Sequence, residues 1–241
     1  MLKNKVALLA LTSLIAACSN AAEPSTEAKI KKALEPRLGE GAKIESVIAT
    51  PYGGLYEVRA GGDIIYTDKN GEYIILGQIY NAKTTVNLTK ERLDEINKIK
   101  FSDLPLEHAL KLVKGDGKRV IAIFEDPNCG YCKQFRKTTL QQANNITVYT
   151  FMLNILSEDS AEKSKNIWCS ADRNKAWDEW MVENKLAPKA PANCVNPNEA
   201  ISALGRKLKV NGTPAIFFAD GTRLAGAVDL ATLEAKFAKI K

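Results

Sequence analysis

The run Arg119-Val-Ile-Ala-Ile-Phe124 constrains the fold more than any other stretch of the chain. It is near-continuously apolar, so it does not read as a strand with one wet face. It reads as a strand buried on both faces, which requires packed layers on either side of its sheet. Asp126-Pro127-Asn128 breaks the run, and a helical pattern carrying Phe135 and Leu140 follows. Residues 146–153 form a second buried strand. Residues 156–208 read as mostly helical, with Trp168, Trp177, Trp180 and Met181 as candidate core. Residues 215–218 and 224–228 make a strand pair around Asp220-Gly221, and residues 229–240 close with an amphipathic helix. From about residue 106 this order predicts one α/β unit.

The N-terminal third has a different pattern. Residues 27–35 carry a short helical pattern, with Ser25 and Thr26 as candidate caps and Pro36 as its stop. Short runs of β-formers follow at 43–49, 55–60, 63–67 and 72–79, with Asn70-Gly71 as a hairpin signal between the last two. A unit of this size buries little core by itself, and it contains neither cysteine nor evident metal ligands; pairing through an exposed sheet edge is the expected remedy. Residues 88–100 read as a polar connector helix with a thin stripe of Leu93, Ile96 and Ile99, ended at Leu104-Pro105.

The first residues read as an export signal. Lys3 and Lys5 precede a short apolar stretch, residues 6–17, which is too short to span a bilayer. Ile15-Ala16-Ala17-Cys18 resembles a lipoprotein lipobox, which makes Cys18 a candidate lipidation site; cleavage after Ala21 is the alternative. No later stretch is long and apolar enough for a membrane span, so an exported, periplasmic chain is expected. Removing Lys3 and Lys5 from 34 basic residues leaves 32 against 28 acidic ones. That excess is too mild, and too evenly spread, to imply nucleic acid.

Cys129-Gly130-Tyr131-Cys132 carries the chemistry. The pair follows a buried strand and opens a helix, where unpaired amides and the helix dipole favour a negative sulfur. Cys129 is expected to be the exposed, acidic nucleophile. Cys132, one turn in, is placed to attack a mixed disulfide made by Cys129. Structural zinc lacks a second knuckle, since Cys169 and Cys194 are far apart and His108 is the lone histidine. Covalent haem would need histidine where Lys133 stands. A purely structural disulfide between the two remains open. No metal and no other cofactor is expected. Glu125 or Asp126 could assist proton transfer to Cys132, or be ordinary exposed loop carboxylates. Phe135 is expected to pack, and Tyr131 to stand at the rim.

Taken together, residues 124–132 (Phe-Glu-Asp-Pro-Asn-Cys-Gly-Tyr-Cys), Gly212-Thr213-Pro214-Ala215 before a strand, the strand-rich N-terminal unit and the polar helix resemble the DsbC/DsbG family of periplasmic thiol:disulfide interchange proteins, and within it the disulfide isomerases. The resemblance implies an α+β or α/β architecture: a signal peptide (1–21), a dimerisation domain (22–85), a connector helix (86–105) and a thioredoxin-like catalytic domain (106–241) with a helical insert. It implies that Cys129 and Cys132 are catalytic, supported by Gly130, Tyr131, Thr213 and a cis Pro214; a trans proline at a strand start is the alternative. It also implies a structural disulfide between Cys169 and Cys194, two buried thiols being the alternative. The implied enzyme is a V-shaped homodimer that reshuffles misoxidised exported proteins and draws electrons from a DsbD-type membrane reductase. Two other readings stay open: a DsbG-like reductase of sulfenylated or glutathionylated cysteines, and a chaperone-type binder of unfolded chains. A dedicated oxidase is disfavoured.

Overall fold

A computed structural model of the chain describes residues 24–39, 41 and 43–240. The export segment, Cys18 and the two cleavage alternatives lie outside the described residues. The chain divides into two compact units, the first ending at Gly77 and the second beginning at Gln78, with Gly62–Ile64 grouped with the second.

In the first unit, α1 (Thr26–Leu34) starts where Ser25 Oγ accepts from the Ala28 amide, satisfying one of the open donors of a helix start. Ile30 and Leu34 share a face four residues apart and pack with Ile44 and Val58 into a small core. A 3-10 turn, Glu35–Arg37, holds Pro36. Four strands follow, β1 (Ile44–Ala49), β2 (Tyr56–Ala60), β3 (Asp63–Thr67) and β4 (Ile74–Ile75), ordered in the sheet as in the chain. The strand expected over 72–79 shrinks to two residues. Asp68 explains its late start: its carboxylate accepts from the amides of Asn70, Glu72 and Tyr73. Asn70-Gly71 therefore lies inside a six-residue loop, not a two-residue turn, and within that pair Gly71 takes the positive φ, +73°.

In the second unit, α2 (Leu88–Ile96) is capped by the Asn87 side chain and ends a turn earlier than expected. The reason is tertiary: the Ile99 amide donates to the Gly221 carbonyl, and a Cβ at Gly221 would sit 2.0 Å from the Ile99 oxygen. Only glycine fits there. Ile99 consequently packs against the domain core.

The sheet of this unit runs β5-β7-β6-β8-β9. Its strands are β5 (Leu110–Lys114), β6 (Arg119–Glu125), β7 (Ile146–Met152), β8 (Ala215–Phe218) and β9 (Arg223–Ala225). β6 is central, parallel to β7 and antiparallel to β8. Its alternate residues serve two cores. Ile121 and Ile123 pack with Phe135, Val148, Ile216 and Leu233, while Ala122 and Phe124 pack with Phe151, Phe217 and Ile201. Phe124 stacks on Phe151 at 4.8 Å and meets Phe217 edge-on at 5.6 Å. Burial on both faces, as the apolar run predicts, is what the structure has. β5 is an edge strand, antiparallel to β7, that the sequence reading left unassigned.

Helix α3 (Gly130–Phe135) continues as a π-helical stretch, Arg136–Leu140. The expected helical insert comprises α4 (Ser160–Trp168), α5 (Arg173–Asp178) with a π-helical extension Glu179–Glu183, and α6 (Asn198–Lys207); residues 184–197 between them are irregular. Trp177 and Met181 are buried, whereas Trp168 and Trp180 are only partly so. Helix α7 (Leu230–Phe237), capped by Asp229, closes the chain. Among the described residues no helix is long and apolar enough to cross a membrane.

Candidate active site

The site sits where β6 runs out. Asp126, fully buried, takes four hydrogen bonds on its carboxylate: from the amides of Asn128 (2.7 Å), Ile155 (2.8 Å) and Leu156 (3.0 Å) and from Ser160 Oγ (2.9 Å). Its carbonyl accepts from the Cys129 amide. Asp126 is thus the clasp that fixes the loop before the cysteines. Pro127 adds a second hold, its carbonyl accepting from Trp180 Nε1 at 2.6 Å. Asn128 supplies a third through Asp159, Ser160 and Lys163.

Cys129 is the N-cap of α3. Its Sγ accepts from the Cys132 amide at 3.1 Å, the role an Asp or Ser oxygen usually fills. It also lies 3.3 Å from the Thr213 carbonyl, to which the protonated thiol donates. The Thr213–Pro214 bond is cis, and this carbonyl comes from the loop that the sequence singled out, 84 residues from Cys129. Gly130 has nothing within 4 Å of where a Cβ would lie, and Tyr131 is 71% exposed at the rim. Phe135 is core.

The expectation of an exposed Cys129 is corrected: it is only 3% exposed. The sulfur is roofed by the cis-proline loop and packs in one cluster with Cys132, Met152, Trp177 and Met181. Hydrogen bonding, not exposure, favours its thiolate. Its pKa falls from the ordinary 9.0 to about 6, chiefly through the hydrogen bond from the Cys132 thiol; burial opposes the fall, and the Thr213 side chain and the Cys132 amide add to it. Cys132, fully buried, moves the opposite way: burial pushes its thiol up, and donating to Cys129 keeps its proton in place.

Glu125 and Asp126 are not the exposed loop carboxylates of the alternative reading. Glu125 is the last residue of β6, fully buried, and its Oε2 accepts from Arg136 Nε (2.9 Å) and Nη2 (2.7 Å). Burial raises its carboxyl pKa against the pull of Arg136, and its charge bears on both cysteines, holding their pKa values up. Arg136 was missed by sequence reasoning. The available signal was its position four residues after Cys132, on the helix face that also turns inward. Lys133 and Lys163 lie over the Trp180 ring at 4.0 and 4.8 Å, a second feature with no sequence signal. Cys169 and Cys194 are joined in a disulfide, while Cys129 and Cys132 are free thiols. Among the described residues no cluster of His, Cys, Asp and Glu has the makings of a metal site.

Comparison with known proteins agrees with this geometry. Residues 106–241 match the model of a thioredoxin-like domain, and residues 19–90 that of the disulfide bond isomerase protein N-terminal domain. The chain is 46% identical over 217 residues to a probable thiol:disulfide interchange protein DsbC of Bordetella avium, covering 90% of this chain and 76% of that one. It is 32% identical over 223 residues to the thiol:disulfide interchange protein DsbC of Escherichia coli K12, covering 90% and 89%. A crystal structure of a disulfide interchange protein from Neisseria gonorrhoeae superposes with a TM-score of 0.53 at 36% identity, over 56% of this chain and 97% of that one. With its N-terminal and thioredoxin-like portions both matched and its likeness to the two DsbC relatives covering 90% of its length, the chain belongs to the DsbC family.

Proposed function

We propose that the chain is a protein disulfide isomerase and reductase of exported proteins, working by thiol–disulfide exchange through Cys129 and Cys132. The observation that carries this reading is one sulfur, Cys129 Sγ, capping a helix and holding a pKa of about 6 beside a cis Thr213–Pro214 bond. At neutral pH that sulfur is a thiolate. It attacks one sulfur of a wrongly paired substrate disulfide; the S–S bond breaks and the other substrate sulfur leaves as a thiolate. A different substrate thiolate then attacks the substrate sulfur of the mixed disulfide, forming a new substrate S–S bond and returning Cys129 unchanged. No electrons are gained or lost in this isomerisation. In the competing branch, Cys132 gives up its proton and attacks Cys129 Sγ. The substrate leaves with two more electrons, and the enzyme is left as the Cys129–Cys132 disulfide. A dithiol donor, a DsbD-type membrane reductase, would restore it. The raised pKa of Cys132 keeps this branch slow enough for reshuffling to compete.

Tyr131 and Gly130 line the approach, and the Thr213–Pro214 backbone would pair with an extended substrate segment. Residues 22–85 would act as the dimerisation domain, 86–105 as connector and 106–241 as catalytic domain. β4 supports dimerisation: it is a two-residue edge strand flanked by exposed Tyr73 and Leu76, with Ile74 and Ile75 half exposed, an apolar edge suited to a second copy. The export signal would place the protein in the periplasm; Cys18 would carry a lipid anchor unless cleavage after Ala21 removes it.

The test is refolding of a scrambled, multiply disulfide-bonded substrate. Cys129→Ala should lower the reshuffling rate by at least about a thousandfold, the scale seen when a catalytic nucleophile is removed. Cys132→Ala should instead trap mixed disulfides and keep part of the activity. Retention of full activity in Cys129→Ala would overturn the reading in favour of a chaperone-type binder.

A further inference from the structure

Arg136 has a donor that the site chemistry does not use. Its Nε and Nη2 go to Glu125 Oε2, and Nη2 also reaches Thr150 Oγ1 at 2.7 Å. Nη1 has no hydrogen-bond partner among the described residues and is not sealed from solvent, although the side chain as a whole is only 5% exposed. Arg136 lines a cavity of about 530 Å³, within the range of small-molecule sites. Leu110 and Leu112, on alternate positions of β5, form part of its wall, and Leu140 and Trp177 supply more of its apolar lining. Lys137 and Lys175 stand at the solvent side; Asp178 is the carboxylate of the lining itself, while Glu179 pairs with Lys175 at 4.0 Å and Glu125 with Arg136, which leaves a small positive excess. The ammonium of Lys114, also in the lining, is occupied by the carbonyls of Leu140 and Gln141, both at 2.8 Å.

We infer that this cavity is a binding site for a small apolar carboxylate, its head on Arg136 Nη1 and its body against Leu110, Leu112, Leu140 and Trp177. An occupant without an acceptor would cover Nη1 and leave a cationic donor unpaired, which is costly, and a neutral oxygen would pair with it less strongly than a charged one. A cationic occupant would meet the excess positive charge of the lining. An anionic head on a hydrocarbon body satisfies both the guanidinium and the wall. The cavity shares Arg136 and Trp177 with the packing beneath the cysteine pair, but the inference does not depend on the exchange activity proposed above.

Isothermal titration of the full-length protein with decanoate, decanol and decyltrimethylammonium tests this directly, since the three share a tail and differ in the head. Decanoate should bind with one-to-one stoichiometry, and decanol at least about tenfold more weakly, the scale of a charge-assisted hydrogen bond. The ammonium should not bind. Leu112→Asp, which places a carboxylate at a partly exposed wall position, should weaken decanoate by about tenfold through repulsion and lost apolar contact; near-UV circular dichroism would verify that the variant is folded. Equal affinity for decanol and decanoate, unchanged affinity in Leu112→Asp, or no binding at about 1 mM decanoate would overturn the inference. So would tight binding of an acidic, apolar peptide in place of decanoate, which would make the β5 edge a peptide-docking strand instead.

Discussion

The loop carrying Cys129 and Cys132 and the segment joining Cys169 to Cys194 lie in the same domain, yet they hold sulfur in opposite ways. Cys129 caps the N-terminus of α3, where the open amide of Cys132 stabilises a negative sulfur. Cys169 is the C-cap of α4, at the carbonyl end of a helix, where the dipole disfavours a thiolate. The first pair is two thiols with divergent acidities, roofed by a cis-proline loop. The second is a closed disulfide across 25 positions, tying α4 to the irregular stretch before α6. The same element serves as a reagent or a staple according to which end of a helix it meets and how far along the chain its partner lies.

The two regions are also coupled, because the insert supplies Trp177, Met181 and the Trp180 hydrogen bond that pack the reactive loop. The largest expected effect breaks the buried support under the reactive pair. Arg136→Ala should destabilise the protein by about 3–5 kcal/mol, since it leaves Glu125 charged or unpaired in the interior. Urea denaturation measures this; a loss below about 1 kcal/mol would mean that water reaches the pair and that Glu125 is not isolated beneath the cysteines.

Next comes the staple. Cys169→Ala with Cys194→Ala should cost about 3.5 kcal/mol in the chain-entropy picture of a loop of this length, while the alkylation rate of Cys129 changes little. A large fall in that rate with unchanged stability would show that the disulfide shapes the reactive loop and does not merely shorten the unfolded chain.

The smallest effect is a titration. Alkylation of Cys129 should rise with pH about a midpoint near 6 and level off above it. The linked stability has a definite sign. Between about 6 and 9 the unfolded chain keeps a proton on this thiol that the native state has lost, so the dithiol form gains stability as pH rises through that window and loses it as pH falls towards 6. Cys132, shifted upward, acts in reverse: above its ordinary 9.0 the unfolded chain sheds a proton that the native state retains, and stability declines. The stability difference between wild type and Cys129→Ser should therefore widen from pH 5 to 8. A flat difference would remove the acidic thiol from the account.

How much of this was legible beforehand depended on range. The β6 run, the cysteine spacing and Thr213-Pro214 are local patterns, and each appears where the residues place it. The edge strand β5 was missed because Leu-Lys-Leu-Val-Lys is short, lies between a 3-10 turn and a glycine turn, and leaves Lys111, Leu112 and Val113 exposed. The helix expected over 88–100 overran because Ile99 is claimed by Gly221, more than a hundred residues away. The 72–79 strand overran because Asp68 gathers three amides into its own loop. Arg136 escaped notice because a lone arginine in a helix reads as solvated until its carboxylate is found.

Read alone, the amino-acid order determined the reagent and its setting: a doubly buried strand, a break, a helix opened by cysteine, and a proline turn far downstream. Those are properties of short segments, where backbone preference and apolar spacing act over a few residues. Only the tertiary structure decided how reactive the reagent is. The burial of Cys129, the approach of the Thr213 carbonyl, the proton held on Cys132 and the Glu125–Arg136 pair beneath them arise from groups brought together across the chain, where exclusion of water multiplies each charge and hydrogen bond.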